Sequence, residues 1–175
     1  DLCVGTHTDG VFLSHDNGQN WTLAGLDGLY ISTVYYDGSR LFAGTYENFM
    51  YRTDDYSAGW TQIGTNAGID HSDILCLLRN GGRIFAGSCT GIFISDDNGL
   101  SWTSSNSGLP AWCYVRSLIT DGSSVFAATS FGVYKSEDNG NFWESFADSM
   151  TDIAVVSLVI DGTDIYAGTD DYGVW

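Results

Sequence analysis

The chain has 175 residues, with 22 acidic side chains against 6 lysines and arginines and a formal net charge of −16. That balance excludes an electrostatic match to nucleic acid or to an anionic membrane surface and favours solubility through self-repulsion. No run approaches the roughly 20 apolar residues of a membrane helix, whereas 22 glycines, a single proline and 14% aromatic residues suit an all-β protein with glycine turns.

In chain order the first element is a short strand at 2–6, Leu-Cys-Val-Gly-Thr, and copies of it recur at 41–45, 84–88, 125–129 and 165–169. After the first copy comes Gly-Val-Phe-Leu-Ser at 10–14, a second strand that leads into the pattern Ser-x-Asp-x-Gly-x-x-Trp. That pattern is intact at Ser14/Asp16/Gly18/Trp21, Ser95/Asp97/Gly99/Trp102 and Ser136/Asp138/Gly140/Trp143. A worn copy stands at Thr53/Asp55/Ser57/Trp60, with serine in place of glycine. Each box tryptophan is expected to open an outer strand. Apolar runs closed by Asp-Gly or Asn-Gly follow at 31–38, 74–81, 115–122 and 155–162, each reading as a strand and a tight hairpin. Apolar on both alternating faces, these runs predict an inner strand flanked on each side.

The tryptophans Trp21, Trp60, Trp102 and Trp143 are 39, 42 and 41 residues apart, the length of a four-stranded propeller blade. The expected fold is therefore an all-β propeller over residues 1–175, a single array of antiparallel blades of about 41 residues with boxes at 14–21, 53–60, 95–102 and 136–143. Residues 1–12 align with 164–175, so both ends supply the same hairpin and would compete for one place in a closed four-bladed ring. Four to five blades with incomplete terminal blades are expected. Because Asp1 is not an initiator methionine and the chain opens within a repeat, a unit of a longer repeat chain or assembly is expected.

These boxes resemble the Asp-box, or bacterial neuraminidase repeat, propellers, a family that includes sialidases and sortilin-type receptors. The resemblance covers essentially the whole chain. It implies that the box is a structural turn between the third and outer strands of a blade. Asp16, Asp97 and Asp138 would accept hydrogen bonds from the turn's own amides, the glycine would take a positive backbone angle, and Trp21, Trp102 and Trp143 would be buried beneath their turns. It also implies that ligands meet the opposite face, and that the protein is secreted or on the cell surface.

On that opposite face the loops would carry Asp9, Glu47, Asp70, His71, Trp112, Tyr114 and Asp170. Carboxylates beside aromatic rings suit carbohydrate, since rings stack on sugars while carboxylates bond hydroxyls or do acid–base work. Family sialidases hold their substrate carboxylate with three arginines and use a tyrosine nucleophile paired with a glutamate. Here Arg40, Arg52, Arg79 and Arg83 fall at the box end of the blades, which leaves Arg116 alone on the binding side.

The four cysteines show no Cys-x-x-Cys pair and no metal-ligand spacing. Cys3 replaces the aromatic residue of the 41–45 type strand, and Cys76 occupies a small-residue position of an inner strand. Cys89 and Cys113 fall in loops on one face and are the candidate disulfide. Asn20 opens a formal glycosylation sequon, Asn20-Trp21-Thr22. No metal or cofactor is expected. The expected function is a non-catalytic extracellular propeller, a structural or interaction unit that assembles head-to-tail through incomplete end blades, with itself or adjoining repeats as partner. The competing reading is a carbohydrate-binding or glycoside-hydrolysing propeller; a glycan or protein ligand would fit the face, nucleic acid and membrane insertion would not.

Overall fold

The computed structural model describes residues 1–46, 49–64, 69 and 72–175. Five antiparallel sheets follow one another along the chain. The first has three strands, β1 (Leu2–Gly5), β2 (Val11–Ser14) and β3 (Thr22–Gly25). The second comprises β4 (Ile31–Tyr36), β5 (Leu41–Thr45), β6 (Met50–Thr53) and β7 (Thr61–Ile63). The third holds β8 (Ile74–Asn80), β9 (Arg83–Ser88), β10 (Gly91–Ser95) and β11 (Thr103–Ser104). The fourth holds β12 (Val115–Thr120), β13 (Val125–Thr129), β14 (Gly132–Ser136) and β15 (Glu144–Ser145). The fifth pairs β16 (Val155–Asp161) with β17 (Asp164–Thr169), and an isolated bridge joins Gly168 to Val174. Among the described residues the only helical element is a 3-10 turn, Asp148–Met150.

Each four-stranded sheet is a simple up-down meander, and the inner strands β4, β8, β12 and β16 lie against one another in chain order. This is propeller architecture, with the hydrophobic core divided among the interfaces between consecutive sheets. Phe42 and Met50 of the second sheet pack on Ile74, Ala86 and Trp102 of the third. Phe85 and Ile92 of the third meet Val115, Ala127 and Trp143 of the fourth. Phe126 and Val133 of the fourth meet Val155, Leu158 and Ala167 of the fifth. Val11, Leu13 and Ala24 of the first meet Ile31 and Ala43 of the second, with Trp60 packed against them.

The reason lies in the alternation of the second strand of each sheet. Neighbouring residues point to opposite faces, so Phe42, Phe85 and Phe126 project toward the following sheet while Ala43, Ala86 and Ala127 receive the preceding one. A large ring on one face and a methyl on the other lets identical sheets stack in one direction.

All four inner strands carry a bulge at their second residue, where the register with the neighbouring strand slips between Ile31/Thr33, Ile74/Cys76, Val115/Ser117 and Val155/Ser157. A bulge re-aims the extra side chain, and here the extra residues are Ser32, Leu75, Arg116 and Val156.

Candidate functional site

The box turns are built alike. Ser95 Oγ donates to Asp97 Oδ1 at 2.8 Å and accepts the Gly99 amide at 2.7 Å, while Asp97 Oδ1 accepts the Ser101 amide at 2.8 Å. The same bonds recur around Ser14 and Asp16, and around Ser136 and Asp138. Asn17, Asn98 and Asn139 take φ near 60°, and Gly18, Gly99 and Gly140 follow at φ 87°, 86° and 90°, a left-handed pair that glycine and asparagine adopt most readily. Donation from the Asn20 amide and side chain and the Ser14 hydroxyl pulls Asp16 down to about 2. Asn20 itself is exposed, with its Nδ2 donating to Asp16 at 2.6 Å.

The three box glycines differ in what lies beneath them. Gly99 and Gly140 are buried under Phe42 and Phe85, rings that the preceding sheet supplies. Gly18 takes the same left-handed backbone as the other two, as expected of a box glycine, but it is only half-buried. The side-chain atoms nearest an added Cβ there are Leu2 Cδ1 at 3.5 Å and Trp21 Cζ2 at 3.7 Å, both of its own sheet. Gly18 therefore serves its turn through its backbone angle and its amide bond to Ser14 Oγ at 2.8 Å, and takes no part in packing between sheets.

The worn box differs in its bonds. Thr53 Oγ1 accepts the Asp55 amide and Asp55 accepts from the Ser57 amide and hydroxyl, but the indole of Trp60 turns away from its own turn and donates to Ala24 O at 2.8 Å.

Trp102 and Trp143 are buried, at 1% and 0% exposure, but Trp21 is 41% exposed, which corrects the expectation that all three lie beneath their turns. The turn does not bury the ring; the preceding sheet does. A Cβ on Gly25 would stand 2.8 Å from the Trp60 ring and one on Gly64 would stand 3.5 Å from Trp102, while Trp143 Nε1 bonds Ser105 Oγ at 3.2 Å. Trp21 has no such seat among the described residues.

Arg40, Arg52, Arg79 and Arg83 are all at the box end. Arg52 donates to Asn98 O at 3.0 Å and Arg83 to Asn139 O at 2.7 Å, tying each turn to the sheet before it. Arg79 Nη2 reaches both Asp37 Oδ2 at 2.7 Å and Asn98 Oδ1 at 3.0 Å.

On the opposite end the candidate ligand residues are only partly brought together. Glu47, Asp70 and His71 lie outside the described residues. Asp9 is exposed in its loop, where its amide donates to Thr6 Oγ1 at 3.0 Å. Trp112 is 78% exposed at φ 58°. Tyr114 lines a cavity of about 340 Å³ with Tyr46, Asp73, Cys89 and the bulge residues Ser32, Leu75 and Arg116. Asp170 stands 3.7 Å from Arg116. Tyr46 of the cavity lining meets Tyr30 edge-on at 4.4 Å between centroids, and the His7 ring lies tilted against Tyr30 at 3.8 Å. The convergence of the bulge residues was not read from the sequence. Its trace is a polar or charged residue, Ser32 or Arg116, interrupting an otherwise apolar and small start to an inner strand.

Cys89 and Cys113 are both free thiols, so the candidate disulfide is corrected. Cys113 is buried between the third and fourth sheets beside Thr129, and burial pushes its thiol up; Cys89 instead faces the 340 Å³ cavity.

A second cavity, of about 390 Å³, lies at the box end between the first two sheets. Leu2, Cys3, Leu13 and Leu41 line it together with Tyr36 and Tyr56, and His15, Asp54 and Asp55 are among its remaining residues. His15 Nδ1 is 3.1 Å from the Asp1 carboxylate and its Nε2 is 3.2 Å from the Tyr56 hydroxyl.

No family model and no curated protein matches the chain. Solved structures do. The extracellular domain of BT4673 from B. thetaiotaomicron superposes with a TM-score of 0.81 at 20% identity, over 99% of this chain and 24% of that one. An ancestral GH74 enzyme matches with a TM-score of 0.77 at 18% identity, over 95% of this chain and 25% of that one. PorZ, a surface component of the type-IX secretion system of Porphyromonas gingivalis, matches with a TM-score of 0.72 at 12% identity, over 97% of this chain and 29% of that one. The chain thus spans about a quarter of the length of these proteins. At such identities the likeness is one of fold, and the fold is that of a β-propeller.

Proposed function

We propose that the chain is a non-catalytic propeller unit of the Asp-box type, acting outside the cell as an interaction module that assembles head-to-tail with a second copy of itself. The observation that carries this reading is a pair of uncovered sheet faces. Val4, Phe12, Leu23 and Trp21 occupy the face of the first sheet that every later sheet presents to its predecessor. Val4, Leu23 and Trp21 are exposed there. Val159 and Tyr166, paired across the fifth sheet, occupy the face that every earlier sheet presents to its successor, and both are exposed. Tyr166 holds the place that Phe42, Phe85 and Phe126 hold at the internal interfaces. The two faces are therefore of the kinds that mate four times within the chain, and a contact between them is heterologous. That two similar folds belong to an extracellular domain and a surface component supports the compartment.

Leu23→Lys blocks one face and Val159→Lys the other. In sedimentation, the parent chain is expected to grow with concentration, each variant alone to remain monomeric, and an equimolar mixture to form a 1:1 dimer through the two intact faces. A parent chain that stays monomeric at high concentration overturns the proposal, and so does a mixture that fails to pair.

Carbohydrate binding at the opposite end is the second reading, favoured by one observation: Trp112 is held 78% exposed at φ 58°, a conformation that costs a bulky residue free energy. A ring so presented suits stacking on a sugar, and Tyr114, two residues further on, lines the 340 Å³ cavity with Arg116. Glycan-array binding that Trp112→Ala abolishes would support it; an array without a specific hit would count against it.

A further inference from the structure

We infer that the cavity between the first two sheets is a binding site for a small organic cation with an apolar body, of the arylalkylamine class. The site exists because this interface breaks two rules that the next two interfaces keep. At the following interface the ring of Phe42 fills the space beneath the box glycine of the next sheet, so that a Cβ on Gly99 would stand 3.0 Å from Phe42 Cε1. At the next, a Cβ on Gly140 would stand 2.6 Å from Phe85 Cε1. Between the first two sheets the corresponding residue is Cys3, and the box it faces carries Ser57 instead of glycine. A thiol replaces a phenyl ring, and about 390 Å³ stays open. Departure from a consistent local pattern is where a functional site is expected, and this volume lies within the range of small-molecule pockets.

The walls define the occupant. Leu2, Cys3, Leu13 and Leu41 supply an apolar floor, and Tyr36 and Tyr56 supply two exposed rings at the side. Burial raises the Cys3 thiol to about 11, so the floor carries no charge there. Asp1, Asp54 and Asp55 line the cavity with His15, whereas no lysine or arginine does. Arg40 and Arg52 take up Asp54 from outside the cavity, at 2.8 and 3.6 Å. Asp55 is held below the usual carboxylate range chiefly by the Ser57 hydroxyl and amide, and so stays ionised. An ammonium group would meet carboxylates and tyrosine faces at the rim while its ring displaces water from the leucine floor. An anion of the same shape would meet repulsion.

The site lies within one chain, so its occupancy is independent of association between copies. The test is titration of the chain with 2-phenylethylammonium at low salt, followed by calorimetry and amide NMR shifts. Saturable binding is expected, with shifts centred on Tyr56, His15 and Leu41, and with 3-phenylpropionate binding at least about threefold more weakly, in line with an exposed charge contact. Cys3→Phe installs the ring that the other sheets carry. It is expected to abolish binding while keeping or raising the thermal midpoint. Should that variant fail to fold, Tyr56→Leu, at an exposed position, is expected to weaken binding severalfold in a folded chain. Absence of saturable binding, equal affinity in a folded Cys3→Phe chain, unchanged affinity in Tyr56→Leu, or tighter binding of the carboxylate each overturns the assignment.

Discussion

The indole nitrogen of Trp60 donates to the carbonyl of Ala24 across 2.8 Å, fastening the box of the second sheet to the outer strand of the first. The indole nitrogen of Trp102 donates to Gly99 O of its own turn at 3.0 Å, but its ring packs on Gly64 of the preceding sheet as that of Trp60 packs on Gly25. The ring's seat is what the box tryptophans with a preceding sheet share. The ring is an intersheet peg, seated on the preceding outer strand, and its burial depends on that strand being present.

The tryptophans should therefore differ in their contribution to stability. Trp102→Ala and Trp143→Ala empty fully buried sites and are expected to cost about 3–5 kcal/mol each. Trp21→Ala removes a ring that is 41% exposed and is expected to cost under about 1 kcal/mol in the monomer. Urea unfolding monitored by circular dichroism separates the two classes. Equal losses for Trp21 and Trp102 would contradict the peg.

Substitution at Gly140 tests the packing beneath a box. Its φ is 90° and an added Cβ would stand 2.6 Å from the Phe85 ring. Gly140→Ala is expected to cost about 2–4 kcal/mol, combining left-handed backbone strain with overpacking. Gly38 has a similar φ of 98° but nothing within 4 Å of an added Cβ, so Gly38→Ala should cost only the strain, about 1 kcal/mol. Thermal midpoints of the two variants would read the difference.

Acid should loosen the boxes. Backbone and side-chain donation from Asn20, with the Ser14 hydroxyl, lowers Asp16 from 3.8 to about 2. Asp138 is lowered too, chiefly by the Phe142 amide. In Asp97 burial acts upward, but the Ser101 hydroxyl and amide and the Ser95 hydroxyl outweigh it, and its value is also lowered. A carboxylate whose folded value is depressed binds protons less readily folded than unfolded, so its contribution is present above the unfolded value and is lost as pH falls through the folded one, which for Asp16 is about 2. The unfolding midpoint is expected to be flat from pH 7 to about 5 as far as these groups are concerned, and to drop between about pH 4 and 2. Asp97→Asn should flatten the acid limb. An unchanged limb in that variant would assign acid sensitivity to other groups.

The thiols should react in a fixed order. Burial raises Cys76 to about 12 and Cys3 to about 11, and also raises Cys113, which is fully buried. Cys89 faces an open cavity. Alkylation at pH 8 followed by peptide mass mapping should label Cys89 first, with Cys76 and Cys113 labelled only on unfolding. A Cys89–Cys113 bridge in protein purified without reductant would contradict the placement of Cys113.

Periodicity alone determined the fold of this chain. Three intact boxes in phase, second strands reading Leu-Phe-Ala-Gly-Thr and inner runs apolar on both faces lead to one architecture, because each signal is local: hairpin chemistry, period-two alternation and a turn that closes on its own serine and aspartate. The different end sheets, the worn box at Asp55 and the odd residue Cys3 were equally legible as departures from the pattern. What those departures do was decided only between sheets. The exposure of Trp21, the uncovered position of Gly18, the separation of Cys89 from Cys113, the convergence of Ser32 and Arg116 through bulges, and the cavity left by Cys3 depend on which face of one sheet meets the next. A single repeat carries no record of its neighbour's position, because the burial of a side chain belongs to the pair of surfaces that enclose it.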